Sequence, residues 1–206
     1  MKVHMMIQYS PEWWEVRRGI PTASAFDRIL TPGGKLSGQS DGYIDELVGD
    51  AFCLNPNFMT ERPMNHAMRA GLEAEPEARR FYEMENPTRT VQQVGFCLTD
   101  DGRFGCSPDA LVGDDGVLEL KCPQAKTQVG YLRDGTLPSE YRPQVHGHLL
   151  VTGRPWVDFC SYCPGLPPLV VKVMPDEFTV KLRNALEAFH DTYLKVLQEI
   201  KTKGGV

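Results

Sequence analysis

The segment Cys106–Pro123, CSPDALVGDDGVLELKCP, sets charged side chains inside an apolar run. Val117–Cys122 has the β-branched and apolar content of a strand, and so does Phe104–Val112 before it. The glycine- and aspartate-rich stretch Gly113-Asp114-Asp115-Gly116 between them reads as a turn, which predicts an antiparallel hairpin. Glu119 and Lys121 are two residues apart on the second strand, so both point to one face. A buried charge costs several kcal/mol, in order of magnitude, unless it is paired or bound to a metal. A two-residue turn at Asp114-Asp115 places Asp109 opposite Leu120. One extra residue in the first strand, at Gly113, places it opposite Glu119. Two readings follow. The bland one is a buried Glu–Lys pair on an edge strand with Asp109 in a turn. The other is a hard oxygen site, in which two carboxylates and a backbone carbonyl suit Mg²⁺ and the lysine orients a water or offsets charge on a phosphate.

Outward from the hairpin, helices flank the strands on both sides. Asp41 to about Leu54 and Ala67 to about Glu85 read as helices, and Thr22-Ala23-Ser24 starts another over Ala25–Leu30 with a hydroxyl cap. Pro32–Gly38 is a flexible loop. Thr88–Thr99 is a strand ahead of the hairpin. Beyond it come helices over Gln124–Arg133 and Glu140–Thr152 and strands over Trp156–Tyr162 and Leu169–Met174. A long amphipathic helix from Asp176 to about Lys201 follows, and Lys203-Gly204-Gly205 frays. This order predicts an α/β (α+β) fold, a mixed central sheet flanked by helices, in one domain over residues 1–206.

Composition narrows the class. The chain has 206 residues, 41% hydrophobic and 24% charged, enough to bury a core. No apolar run approaches the roughly 18 residues of a membrane span, and the N-terminus lacks a signal-peptide cleavage site, so a soluble cytoplasmic protein is expected. A net charge of -5 does not suggest a surface coated in basic residues, but a local basic channel can sit on an acidic body. Of six cysteines, expected as reduced thiols, Cys160 and Cys163 form a CxxC with no second pair at zinc-finger spacing. They read as small residues on a buried strand.

Four blocks, in order, carry a resemblance. Ser107-Pro108-Asp109 followed by Glu119-Leu120-Lys121 resembles the PD-(D/E)xK nuclease core. Trp13-Trp14-Glu15-Val16-Arg17-Arg18-Gly19-Ile20-Pro21-Thr22-Ala23-Ser24 resembles the W-x-x-x-R-x-G-x-x-T-A-S opening of the lambda exonuclease (YqaJ viral recombinase) family. Gly71–Ala78 resembles its G-x-x-x-E-x-x-A helix, and Tyr141–His146 its Q-V-Q helix, with His146 where the second glutamine is usual. The resemblance runs from residue 13 to about 153.

It implies a restriction-endonuclease-like core and a Mg²⁺-dependent 5′→3′ exonuclease on linear double-stranded DNA. Such an enzyme releases 5′-mononucleotides and leaves 3′ single strands for recombination by strand annealing. The implied cofactor is Mg²⁺, with Mn²⁺ as a substitute and two ions per site. Asp109, Glu119, the Leu120 carbonyl and Glu75 are implied ligands. Lys121 is implied to handle the attacking water, and Gln144 to stand near the scissile phosphate. Arg17, Ser24 and Ser107 match positions that hold a 5′-terminal phosphate, a task that suits a guanidinium and hydroxyls. Arg18 is the adjacent choice. Lys35 lies where the lambda-type enzyme has a further arginine. The implied partners are double-stranded DNA ends, two further copies in a homotrimeric ring, and a single-strand annealing protein, in a bacterial or phage-infected cell.

Alternatives within nucleases are a structure-selective endonuclease and an iron–sulfur nuclease on the same core. The second needs a late cysteine triad, and Cys160 and Cys163 have no third. An inactive DNA-binding module would have no reason to keep the destabilising Asp109, Glu119 and Lys121. Trp13 and Trp14 could stack on a DNA end, with at least one expected in the core. His146 and His148 do not share a helix face, and His148 reads as a surface residue or one behind the ligands.

Overall fold

The computed structural model describes residues 1–53 and 66–204. The predicted hairpin lies in a five-stranded sheet. Strand β5 (Ala110–Val112) pairs antiparallel with β6 (Gly116–Lys121), with Ala110 opposite Leu118 and Val112 opposite Gly116. The turn therefore has three residues. Gly113 takes φ +52°, a left-handed backbone that suits glycine. Continued by one residue, this register sets Asp109 against Glu119, the second of the two registers weighed above. Asp109 stands just past the ladder. Its N–H donates to the Leu118 carbonyl at 3.1 Å, and its Oδ2 accepts from the Leu120 N–H at 2.6 Å.

Strand β7 (Trp156–Ser161) lies parallel to β6, and β8 (Leu169–Val173) antiparallel to β7. A short β2 (Val91–Gln92) edges the sheet beside β5, giving the order β2-β5-β6-β7-β8. The parallel pair requires a crossover. It runs through α4 (Ala125–Asp134), a 3-10 turn at Ser139–Tyr141 and α5 (Arg142–Thr152). On one face, α3 (His66–Glu85) sets Ala78 and Tyr82 against Ala110, Val112, Leu118, Leu120 and Trp156. On the other face α5 packs with α2 (Ser40–Phe52), a 3-10 helix at Ala23–Arg28 and α6 (Glu177–Gly204), around Val117, Val157 and Phe159.

Helix α5 is buried on nearly every side, from Pro143 and Val145 through His146, His148 and Leu149. Gly147 permits this: a Cβ there would stand 2.7 Å from the Phe26 ring and 2.8 Å from Ala23 Cβ. The 3-10 helix therefore lies directly on α5.

Several expected elements differ in detail. The strands expected over Thr88–Thr99 and Phe104–Val112 are each broken in two. Their halves β3 (Phe96–Leu98) and β4 (Gly105–Cys106) join β1 (Lys2–His4), which was not anticipated, in a separate three-stranded sheet. Pro108 has no N–H for a ladder. At the gap Gln8 Nε2 donates to the carbonyls of Val94 and Pro108 at 3.1 and 3.0 Å, in place of strand pairing. The helix expected over Ala25–Leu30 is the 3-10 helix, and its N-cap Thr22 makes no side-chain cap bond. A short α1 (Pro11–Val16), capped by Ser10, carries the two tryptophans. Helix α6 stays helical through Gly204. Leu54 and Gly205 lie outside the described residues.

Candidate active site

A cleft of about 510 Å³ opens where β6 ends, between α3, α5 and the N-terminal segment. Glu75, Asp109, Glu119, Leu120, Lys121, Gln144, Arg17, Ser24 and Ser107 all line it. Lys35 does not: it is an exposed residue of the loop in which Thr31 and Lys35 bond each other. Arg18 pairs with Glu15 at 2.5 Å, and it is Arg17 that faces the cleft.

Glu119 is the most enclosed member, 2% exposed. Strand alternation turns Leu118 and Leu120 into the α3 core and Glu119 toward α5. Its Oε1 accepts from Lys121 Nζ at 2.5 Å and from Gln144 Nε2 at 2.5 Å. Its Oε2 lies 2.7 Å from His148 Nε2. Gln144 and His148 are one turn apart on α5, so both reach the same carboxylate. Burial alone would raise the Glu119 pKa. The Lys121 ammonium and His148 more than reverse that and hold it at about 2. Burial would likewise lower the Lys121 pKa, but the Glu119 and Asp109 carboxylates raise it, so Lys121 stays an ammonium.

Asp109 and Glu75 are in the opposite situation. Asp109 is pushed well above the carboxylate range by burial, then by Glu119 and Glu75. Glu75 is raised by burial and by Glu119, against the pull of Lys121. Its neighbours Glu73 and Glu77 are exposed. The cleft thus holds three carboxylates around one lysine, an excess of negative charge that a cation would offset. Among the described residues no three Asp, Glu, His or Cys side chains form a closed cage. Carboxylate and carbonyl oxygens such as these are hard donors of the kind Mg²⁺ takes, its remaining places being filled by water.

The other end of the cleft holds a guanidinium and hydroxyls. The Arg17 guanidinium lies 4.0 Å over the Trp13 ring. Its Nη1 donates to Ser107 Oγ at 2.9 Å and its Nη2 to Thr22 Oγ1 at 3.2 Å, and Thr22 Oγ1 stands 3.4 Å from Ser24 Oγ. Trp13 Nε1 donates to Ser107 Oγ and to the Gly95 carbonyl, each at 2.9 Å. Trp13 is core, 4% exposed, whereas Trp14 is 45% exposed.

His148 takes the second of its two expected places: it is not at the surface but 1% exposed and bonded to Glu119 from behind. Its signal was present: Gln144 and His148 stand four apart, as one helix face requires. Gln8 and Tyr9, which also line the cleft, precede the first recognised block and carried no signal. His146 points elsewhere, to Thr179 Oγ1 at 2.8 Å, as the i,i+2 spacing required. Cys97, Cys106, Cys122, Cys160 and Cys163 are free thiols, and Cys160 and Cys163 are buried.

Comparisons with known proteins agree with this architecture. The alkaline exonuclease LHK-Exo from Laribacter hongkongensis superposes with a TM-score of 0.82 at 29% identity, over 95% of this chain and 98% of that one. Its complex with dAMP gives 0.81 at 30% identity over the same shares. A phage-related exonuclease from Haemophilus somnus 129PT, 13% identical with a TM-score of 0.62, covers 88% of this chain and 96% of its own and shows the fold alone. None of the curated proteins compared with the chain matches it. No helix among the described residues is long and apolar enough to cross a membrane. The YqaJ-like viral recombinase domain matches residues 12–155, which include every cleft residue named here except Gln8 and Tyr9, and the chain belongs to that family.

Proposed function

We propose that this protein is a Mg²⁺-dependent nuclease of the PD-(D/E)xK type that digests linear double-stranded DNA from its 5′ ends. It releases 5′-mononucleotides and leaves 3′ tails for strand annealing. One observation carries the reading: the carboxylate–lysine cluster and the Arg17, Ser24 and Ser107 anion grip, with Thr22 behind Arg17, share a single cleft. A nuclease that cuts within DNA has no need of a terminal-phosphate grip beside its cutting centre. The family and the alkaline exonuclease neighbours support the same reading.

Asp109, Glu119, the Leu120 carbonyl and Glu75 would hold the ions, Mg²⁺ or Mn²⁺, two per site. When bound, such ions lower the pKa of a water and stabilise charge on the phosphate. The chain's own groups do the rest. The Glu119 and Asp109 carboxylates favour the ammonium form of Lys121. That ammonium donates to the attacking water or a phosphate oxygen and offsets charge as it develops. Glu75, presented by α3, would complete the shell of the ions and their water. Gln144 and His148 hold Glu119 in one orientation. Arg17, Ser107 and Ser24 fix the end of the strand, so that one phosphodiester bond is presented at a time.

The test is digestion of linear duplex with 5′-phosphate or 5′-hydroxyl ends and of closed circles, each with Mg²⁺ and with EDTA. Mononucleotide release from linear DNA, faster with the phosphate and absent in EDTA, is expected. Cutting of circles at a similar rate would leave the chemistry and remove the exonuclease. A ring of three copies, acidic outside and basic within, would reconcile a net charge of -5 with DNA binding. A single-chain mass by light scattering at micromolar protein would end that part. Co-purification with a single-strand annealing protein tests the remaining partner.

A further inference from the structure

Three aromatic rings of the N-terminal segment meet at the cleft. The Tyr9 and Trp13 centroids are 5.0 Å apart, and Trp13 and Trp14 are 4.6 Å apart, edge to face. Trp13 is sealed, but Tyr9 and Trp14 are 48% and 45% exposed. Tyr9 is held where it is at a cost. Among the described residues it is the one non-glycine with a left-handed backbone, at φ +67°. The residues beside it are anchored: Gln8 by its two carbonyl bonds, and Ser10 as the cap of α1. Strain of this kind persists where the surroundings enforce it, and it gathers at binding sites.

Trp13 connects these rings to the anion grip. Arg17 lies 4.0 Å over it, and its indole N–H holds Ser107. The two exposed rings flank Trp13, which touches Arg17 and Ser107, and line the same cleft as the carboxylates.

We propose that Tyr9 and Trp14 form a stacking subsite for a nucleobase, that of the terminal nucleotide whose 5′-phosphate Arg17, Ser24 and Ser107 hold. The inference rests on the exonuclease reading and adds to it a place for the base. Every base has a π-face, so stacking accepts any sequence, which an enzyme that degrades whole strands requires. Trp13, edge-on to Trp14 and tilted against Tyr9, supports both rings in advance, so little freedom is lost on binding.

The experiment measures binding in EDTA, by fluorescence anisotropy, of duplexes with a 5′-phosphate whose terminal nucleotide is intact or abasic. The wild-type protein is compared with Trp14→Ala and with Tyr9→Gly, a change that suits the left-handed backbone and so preserves the fold. The wild type is expected to bind intact ends about tenfold tighter than abasic ends. Both variants lose that difference and keep the preference for phosphate over hydroxyl. An unchanged ratio in both variants overturns the proposal. So does a Trp14→Ala variant that lowers the mass seen by light scattering while keeping base discrimination, because the patch is then a contact between copies. Binding without metal separates the two readings. A wild type that discriminates bases but does not cut with Mg²⁺ sinks the exonuclease alone. One that cuts without discriminating sinks the platform alone.

Discussion

Glu119 and Asp158 are both buried carboxylates, on the neighbouring parallel strands β6 and β7, and they point to opposite faces of the sheet. Each has a lysine partner: Lys121 at 2.5 Å for Glu119 and Lys172 at 2.8 Å for Asp158. Each has a second donor, His148 for the first and the Tyr82 hydroxyl, at 2.6 Å, for the second. The difference lies in what surrounds the pair. Lys172 lies 3.3 Å from the Trp156 ring centroid, and Tyr82 belongs to the α3 core, so Asp158 closes a structural contact. Glu119 shares an open cleft with Asp109 and Glu75, both held above their ordinary pKa. Asp158 is neutralised by its lysine even though Oδ1 takes no well-aligned hydrogen bond, and a charge offset in this way stabilises a fold. A cluster with charge left over is poised for a ligand.

The sharpest break of this comparison is Lys121→Ala. Cleavage of linear duplex should fall by about 10²–10⁴-fold, while DNA affinity in EDTA stays near wild type. Equal losses in binding and cleavage would assign Lys121 to substrate capture. Next in size is His148→Ala. A group that orients a ligand from behind is worth roughly 10–100-fold. His148 Nδ1 is buried without a hydrogen-bond partner, and Nε2 donates to the Glu119 carboxylate, which can only accept. The loss should appear in kcat and in the Mg²⁺ concentration giving half-maximal rate, with KM for DNA unchanged. His148→Gln, which can still donate, should recover part of it. An effect on thermal stability alone would reduce His148 to packing.

How much of this could be read beforehand differs between the two faces. The Glu119–Lys121 face was legible because its chemistry violates strand composition, and two charges at i,i+2 in an apolar run demand a reason. The register of Asp109 was open, because a single left-handed glycine, Gly113, chooses between the two pairings. The Asp158 face was silent. Asp158 sits inside Trp156–Ser161, and its partners Tyr82 and Lys172 are far apart in sequence. The fold's outline followed from the order of periodic segments. The split of two expected strands into separate sheets did not, since it depends on Gln8 bridging Val94 and Pro108 across about 100 residues.

Asp158→Ala tests the structural half. Tyr82 loses its acceptor, and Lys172, half exposed, finds water. The cost should be about 1–3 kcal/mol, a Tm lower by roughly 2–4 °C per kcal/mol in a chain of this size. Cleavage at 25 °C by the folded protein should not change. A loss of activity without a loss of stability would mean that the two faces are coupled through β6 and β7.

On stability, Asp109→Asn should have the smallest effect and the opposite sign. Without metal, ionised Asp109 faces Glu119 and Glu75 with Lys121 as the main offset. A carboxyl whose folded pKa is raised binds more protons folded than unfolded. Stability is therefore lost as pH rises from its unfolded pKa, near 4, toward the raised folded value. Asparagine removes the repulsion, and its Oδ1 can still accept the Leu120 N–H. In EDTA at neutral pH the variant should melt a few degrees above wild type, of order 1 kcal/mol. Adding Mg²⁺ should reverse the order. The wild type gains stability by mass action, and the variant, lacking a ligand carboxylate, gains less. Such a crossing of two melting curves separates a metal site from a buried ion pair without any assay of cleavage. Replacing a satisfied partner lowers Tm under every condition, as Asp158→Ala should. If Asp109→Asn melts below wild type both in EDTA and in Mg²⁺, Asp109 belongs with Asp158 among the structural carboxylates.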